Sequence, residues 1–360
     1  MKILLVGAKR SLAEALAAHD GLDVTLVWPR RHRKADVQTL DGIKERCYVG
    51  GQKLNFRAAW QMRAIIRELR PDVVHAFYGR PLAHAVVAAH GVRRPPPIVS
   101  FRGITTALSP FNLGDWLTYR HPLVVAHACE SQAVCESLVA SGIDSARCSV
   151  TFNTMAASPA GRPGRQGLAQ FGIPANAFVV GTVATMRRVK GADILLRAAA
   201  ECSDLSDIYW LFFGKVVDPE IQRLASDPRL RDRVRLVGHR PDASELISGA
   251  DVFVMPSRAE ALCQALLEAM YQGVCPVISD AGGMKEAVRH GEDGIVVSAE
   301  DIAALGEAIR ALHACRQLVA RYAASSRARV ASEFTPERMA ERCLEIYRRV
   351  HDERQSRGAA

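Results

Sequence analysis

The stretch SRAEALCQALLEAMYQGVCPVIS, residues 257–279, sets two carboxylates, Glu260 and Glu268, eight positions apart in an otherwise mostly apolar run. Charge in such company is costly unless it is paired, solvated or used. Ordinary roles exist for both. Ser257-x-x-Glu260 has the spacing of a capping box, which satisfies free amides at a helix start. Glu268 could face water while Leu262, Ala265, Leu266, Ala269 and Met270 bury one stripe of a helix over 262–272.

Two further segments carry groups able to do chemistry. VGTVATMRRVKGADILLRAA places Arg187, Arg188 and Lys190 between an apolar strand and an apolar helix, where they are either a solvated turn or a set of fixed cations. VRLVGHRPDASELISGADVFVMPS places Gly238, His239 and Arg240 in a loop directly after a strand.

The elements that must position these groups alternate. KILLV, SLAEALAAH and DVTLVW read as strand, helix, strand, the start of a parallel α/β sheet. FRAAWQMRAIIRELR, PDVVHAF, PLAHAVVAAHG, PIVSF, LVVAHACE, ESQAVCESLVASG and CSVTF continue the alternation through the first half. Residues 156–176, rich in Pro, Gly, Ser and Arg, break the periodicity and read as a linker. Alternation then resumes from FVVGTVA to DIAALGEAIRAL, with a short helix over KEAVRHG, and a last helix over 336–352 starts at Pro336. The expected fold is therefore α/β: two tandem doubly wound parallel-sheet domains, whose strand C-terminal edges are where such sheets bind ligands. The expected boundaries are 1–160, 161–335 and a C-terminal helical segment 336–360.

Composition narrows the function classes. The 360 residues are 49% hydrophobic and 24% charged, with no apolar run long enough to span a bilayer. Nine cysteines occur without a CxxC pair or zinc spacing, which points to reduced thiols and a cytoplasmic protein. The net charge of +9 is concentrated in residues 1–160, with 20 basic against 12 acidic residues, while 161–360 hold 27 against 26. That asymmetry suggests an anionic partner, and PRRHRK, Pro29 to Lys34, is the densest cluster. It reads as a solvated loop or as peripheral contact with an anionic membrane surface. No zinc-finger spacing, RNP-like strand or basic heptad supports nucleic acid. KILLVGAKRSLAEAL holds one glycine and no GxGxxG, which weakens a nicotinamide-cofactor reading.

MPSRAEALCQALLEAMYQGVCPVISDAGGMKEAV resembles the signature of glycosyltransferase family 4, enzymes of the GT-B fold. The resemblance rests on Pro256, Ser257, Glu260, Glu268, Ala269, Gly273, Pro276, Val277, Gly282, Gly283 and Glu286, in order. It covers residues 175–350 strongly and 1–150 loosely. It implies two Rossmann-like domains facing a cleft, an N-terminal acceptor domain, a C-terminal nucleotide-sugar domain, and a final helix that returns to the first domain. It implies a retaining enzyme that moves a sugar from a nucleoside diphosphate to an acceptor hydroxyl, without a cofactor or an essential metal. The basic charge of residues 1–160 adds the expectation of a lipid-linked or saccharide acceptor, as in cell-envelope polysaccharide or lipopolysaccharide synthesis.

The resemblance also assigns residues. Glu268 would accept hydrogen bonds from the ribose hydroxyls and Glu260 from the donor sugar. The loop Ala261, Leu262, Cys263, Gln264 stands where the family usually has Gly-Phe-Gly, and its amides would meet the diphosphate. Lys190 and Gly191 match a family Lys-Gly, whereas the usual arginine five residues earlier is Thr185, so Arg187 or Arg188 takes its place, with Arg187 favoured. Fixed cations there would offset charge as the sugar departs. Gly238, His239 and Arg240 would meet the base. On the acceptor side, His75 would sit at a strand end facing the cleft or else be a buried structural histidine, and Lys9 and Arg10 replace a glycine-rich loop. Arg102 stands where many members carry a histidine, and would hold a phosphate or carboxylate of acceptor or donor. Two other readings stay open: a sugar-nucleotide epimerase or hydrolase of this fold, and a non-catalytic nucleotide-sugar-binding module.

Overall fold

The computed structural model describes residues 1–30, 38–40, 43–50, 55–109, 111–116, 118–155 and 164–359. The cluster at 31–34 lies outside these residues. The chain divides into two compact units, one of Met1–Ala156 with Pro336–Ala360 and one of Ala157–Thr335.

In the first unit, β1 (Lys2–Val6), α1 (Arg10–Ala17), β2 (Asp23–Arg30), β3 (Gln38–Leu40), β4 (Ile43–Val49), α2 (Phe56–Leu69), β5 (Val73–Phe77), α3 (Gly79–Ala89), β6 (Ile98–Arg102), α4 (Leu113–Trp116), β7 (Val124–Cys129), α5 (Gln132–Ala140) and β8 (Cys148–Val150) follow one another. Among the described residues they form a sheet of order β3-β4-β2-β1-β5-β6-β7-β8. It is parallel except for β3, which pairs antiparallel with β4. Strands β5 and β6 are buried at every residue, as helices on both faces require. Caps delimit the helices: Asn55 accepts from the Ala58 amide at the start of α2, and Ser131 from Val134 at the start of α5.

The second unit contains β9 (Phe178–Val183), α6 (Ala192–Glu201), β10 (Ile208–Phe213), α7 (Pro219–Ala225), β11 (Val234–Gly238), α8 (Ala243–Leu246), β12 (Val252–Met255), α9 (Gln264–Tyr271), β13 (Cys275–Ser279), α10 (Met284–Ala287), β14 (Ile295–Val297), α11 (Ile302–Ala314) and α12 (Arg316–Glu333). Its parallel sheet runs β11-β10-β9-β12-β13-β14. The chain leaves β9 toward β10 and β11, then returns to the other side of β9 as β12. Neighbouring strands whose connections depart in opposite directions leave a crevice at their C-terminal ends. In this unit that place is the end of β9 and β12.

The last helix, α13 (Pro336–Ala359), extends seven residues past the expected end at 352 and belongs to the first unit. Its Met339, Cys343, Leu344 and Tyr347 share a core with Leu5, Val73, Phe77, Val99 and Ala126. Several expectations shift. Helix 262–272 starts only at Gln264, and KEAVRHG shortens to the single turn of α10. Part of the 156–176 stretch folds as a 3-10 helix over Gly164–Phe171, whose Leu168 is fully buried. The strands β3 and β4 and the 18-residue α12 had no clear periodicity. Only Val319, Tyr322, Ser326 and Val330 of α12 are buried, and the rest is mostly alanine, serine and arginine.

His75 lies in the middle of β5, wholly buried, as the structural reading of this histidine has it and not at a strand end. Its Nδ1 is 2.6 Å from the Tyr347 hydroxyl of α13 and its ring packs 4.4 Å from Phe77. Burial lowers its pKa to about 3. The unfolded chain therefore takes up a proton at this residue below its ordinary value of about 6.5, and the folded chain does not until about pH 3. Stability from this group is full above about 6.5 and is lost as pH falls through that window. Thermal melting from pH 7 to 4 should show a falling midpoint, and His75→Gln should flatten that slope. No helix among the described residues is long and apolar enough to cross a membrane.

Candidate active site

Two loops meet at the crevice of the second unit. The first leaves β9, makes a 3-10 turn over Arg188–Lys190 and enters α6 through Gly191. The second leaves β12 at Met255 and runs through Pro256 to Cys263 before α9 begins. Gly191 has φ +69, and a Cβ there would collide with the Pro256 carbonyl oxygen. Only glycine lets the loops approach this closely. Across that contact the Lys190 ammonium donates to the Glu260 carboxylate. Both side chains are mostly screened from water, at 29% and 13% exposed, so the pair is better protected than a surface salt bridge.

Glu260 is therefore not a capping residue. The turn from Ser257 to Glu260 is not helical, and the Ser257 hydroxyl, fully buried, has no hydrogen-bond partner among the described residues. The Glu260 backbone is held instead by a third loop: the Gly283 amide donates to its carbonyl at 3.2 Å, and a Cβ at Gly282 would strike that oxygen. This accounts for Gly282, the first of the Gly-Gly pair downstream. The Ser279 hydroxyl, at the end of β13, donates to the Ser257 carbonyl at 2.6 Å.

Arg258, two residues before Glu260, binds the first loop. Its guanidinium forks onto Asp193 of α6 at 2.8 Å to each carboxylate oxygen, and it also reaches the Arg188 carbonyl and the Glu300 carboxylate. Its amide donates to the Val189 carbonyl at 2.8 Å. Burial pushes the Asp193 carboxyl upward, but Arg258 and the amides of Asp193 and Ile194 outweigh it and hold the group below the usual range. Sequence reading missed both residues. Their only signal was a lone arginine and a lone aspartate, each beside a motif residue.

The loop from Ala261 to Gln264 keeps a demand that its residues conceal. Ala261, Leu262 and Cys263 are buried, and Cys263 has φ +70, the left-handed region in which glycine is at ease. A cysteine thus holds the backbone shape at the position where the resemblance expects glycine. Burial first, then the Glu260 carboxylate, pushes its thiol up to about 12, so it stays neutral. Gln264 opens α9, and Glu268 lies one turn on, half-buried, its carboxylate making no hydrogen bond or ion pair to a described residue. Arg187 and Arg188 are exposed, and neither guanidinium bonds a described residue. Gly238 ends β11 with φ +84 and accepts from the Gly214 amide. His239 is exposed, whereas Arg240 forks onto Asp242 at 2.8 and 2.7 Å.

Arg102, in the first unit, is 2% exposed. Its guanidinium donates to the carbonyls of Ile104 and Thr106 and stacks 4.6 Å over Tyr119. It braces the chain that follows β6 and is not presented to a ligand, contrary to the expectation for this position. Lys9 donates to the Thr154 carbonyl at 2.6 Å, and Arg10 pairs with Glu14. Among the described residues, no group of three or more His, Cys, Asp or Glu is placed to hold a metal ion.

Comparisons with known proteins agree with this architecture. Residues 10–155 match the family model described as Glycosyltransferase Family 4, and residues 167–329 the model described as Glycosyl transferases group 1. The chain belongs to glycosyltransferase family 4, a family of sugar-transferring enzymes. It is 27% identical over 346 residues to the lipopolysaccharide core biosynthesis glycosyltransferase LpsD of Rhizobium meliloti, covering 95% of each chain. It is 34% identical over 166 residues to D-inositol 3-phosphate glycosyltransferase 1 of Catenulispora acidiphila, a match spanning 42% of this chain and 40% of that one. Among solved structures, Anabaena Alr3699/HepE in complex with UDP superposes with a TM-score of 0.73 at 21% identity, over 96% of this chain and 99% of the other. Sucrose-phosphate synthase from Thermosynechococcus elongatus gives 0.75 at 19% identity, over 98% and 100%. The two sheets are those of the GT-B fold.

The left-handed Cys263 yields a stability test. Alanine there loses the buried sulfur and keeps the strain, whereas glycine removes the strain, worth about 1–2 kcal/mol in this backbone region. Cys263→Gly should melt higher than Cys263→Ala, the reverse of the usual order of the two residues.

Proposed function

We propose that the chain is a retaining glycosyltransferase that takes its sugar from a nucleoside diphosphate bound at the loops after β9 and β12. One observation carries the reading: Lys190 and Glu260 come from different motifs 70 residues apart and meet at the crevice of the sheet. In this reading the pair exchanges partners when the donor arrives. Lys190 turns to the diphosphate, and Glu260 is freed to accept hydrogen bonds from sugar hydroxyls. Glu268 takes the ribose hydroxyls, and the amides of Leu262, Cys263 and Gln264 approach the phosphates. Arg187 or Arg188 adds a second cation, and the loop of Gly238, His239 and Arg240 takes the base, Arg240 through its backbone because its side chain is engaged.

As the glycosidic bond breaks, negative charge grows on the leaving diphosphate. A cation fixed beside it stabilises that charge more in the transition state than in the ground state. The departing phosphate can itself accept the proton of the acceptor hydroxyl on the same face, so no separate base is required. Likeness to a lipopolysaccharide core glycosyltransferase over nearly the whole chain favours an envelope saccharide or glycolipid acceptor. The basic first half is compatible with peripheral contact at an anionic membrane surface.

A panel of UDP- and GDP-sugars scored by thermal shift tests the donor, because a ligand bound only by the native state raises its midpoint. Millimolar donor with no shift would count against the reading. With the donor in hand, Lys190→Ala should lower kcat on the order of 10²–10³-fold, the loss typical of one transition-state charge partner. Glu260→Gln should lower the melting midpoint modestly, because Lys190 loses its charged partner. It should also reduce turnover at temperatures where the variant stays folded, and the anomeric configuration of the product decides retention.

A further inference from the structure

We infer that Arg258 is a positioning residue for the donor diphosphate: it neutralises Asp193 at the mouth of α6 and fixes the two loops so that Lys190 and Glu260 face one another. The inference rests on the donor reading above.

The first ground is geometric. The first turn of α6 is the positive end of that helix, with the amides of Asp193 and Ile194 turned to the Asp193 carboxylate, and Lys190 stands just before it. Both favour an anion. Asp193 lies in that same turn, and an unpaired carboxylate there would repel a diphosphate. Arg258 covers it with two parallel bonds of 2.8 Å, the bidentate geometry that only a guanidinium supplies.

The second ground is the number of tethers. One side chain joins the Arg188 carbonyl in the first loop, Asp193 in α6 and Glu300 beyond β14. Glu300 holds a left-handed backbone, φ +66, while its carboxylate receives the Arg258 Nε at 2.7 Å. The Arg258 amide adds a fourth tether to Val189, next to Lys190. Moving Arg258 would shift Lys190 and Glu260 relative to each other, although it touches neither.

The test uses the full chain and UDP or GDP, whichever the wild type binds by calorimetry, together with the matching monophosphate. Arg258→Ala should weaken the diphosphate on the order of tenfold, equivalent to about 1.4 kcal/mol, and the monophosphate less. Added salt should shrink the difference, since exposed Asp193 acts through its charge. Adding Asp193→Asn to Arg258→Ala should restore most of the diphosphate affinity, while Arg258→Lys should restore only part. With a turnover assay, the donor KM should rise more than kcat falls. Equal losses for mono- and diphosphate, or no rescue by Asp193→Asn, would overturn the inference in favour of a purely structural staple. If Arg258→Ala melts too low to assay, Asp193→Asn alone decides: the inference expects diphosphate affinity equal to or above wild type, and a loss overturns it. A wild-type chain that binds neither nucleotide fails the donor reading and is seen before any variant is made.

Discussion

The ion pair between Lys190 and Glu260 depends on a clearance, and much of the second unit serves it. Gly191 passes against Pro256 with no room for a side chain, and Gly282 passes against the Glu260 carbonyl in the same way. Three loops from neighbouring strands are thus in backbone contact at the sheet edge. Backbone contact is stiff. It holds charged tips within reach of each other without requiring long side chains to be ordered, which would cost conformational entropy. The arrangement keeps a cation and a carboxylate ready at a partly dry site, where charge acts more strongly than in water.

The cost appears in local strain. Cys263 and Glu300 both adopt the left-handed backbone without being glycine, and both lie beside the charged cluster. Surroundings that over-determine a loop can hold such residues. For Cys263 the surroundings are buried Ala261, Leu262 and Leu266. For Glu300 they are the bond to Arg258. The departure from Gly-Phe-Gly therefore changes side chains around the loop while the turn at Cys263 persists.

The first unit shows the opposite use of charged and polar groups. Arg102 and His75, both attractive as ligands' partners on paper, are internal. Arg102 spends its donors on the carbonyls of the chain after β6, and His75 is locked against Tyr347 from the far end of the sequence. Both sit in or at the end of fully buried strands, where a polar side chain must find protein partners. The strand assignments were correct, and the side chains' surroundings were not foreseeable from them.

What the sequence determined by itself was the alternation of strands and helices and the ordered motif that names the family. Those are local signals: apolar runs, glycine and proline punctuation, and fixed spacing. Short edge strands such as Gln38–Leu40 and the alanine- and arginine-rich α12 lacked such signals and needed neighbours to define them. Tertiary structure alone decided that Glu260 pairs with Lys190, that Arg258 finds Asp193, and that His75 and Arg102 turn inward. Each of the two charged pairs joins residues 65 or more positions apart. Periodicity reports only which face of an element is apolar. Which partner waits across that face depends on strand order, and strand order is a property of the folded sheet.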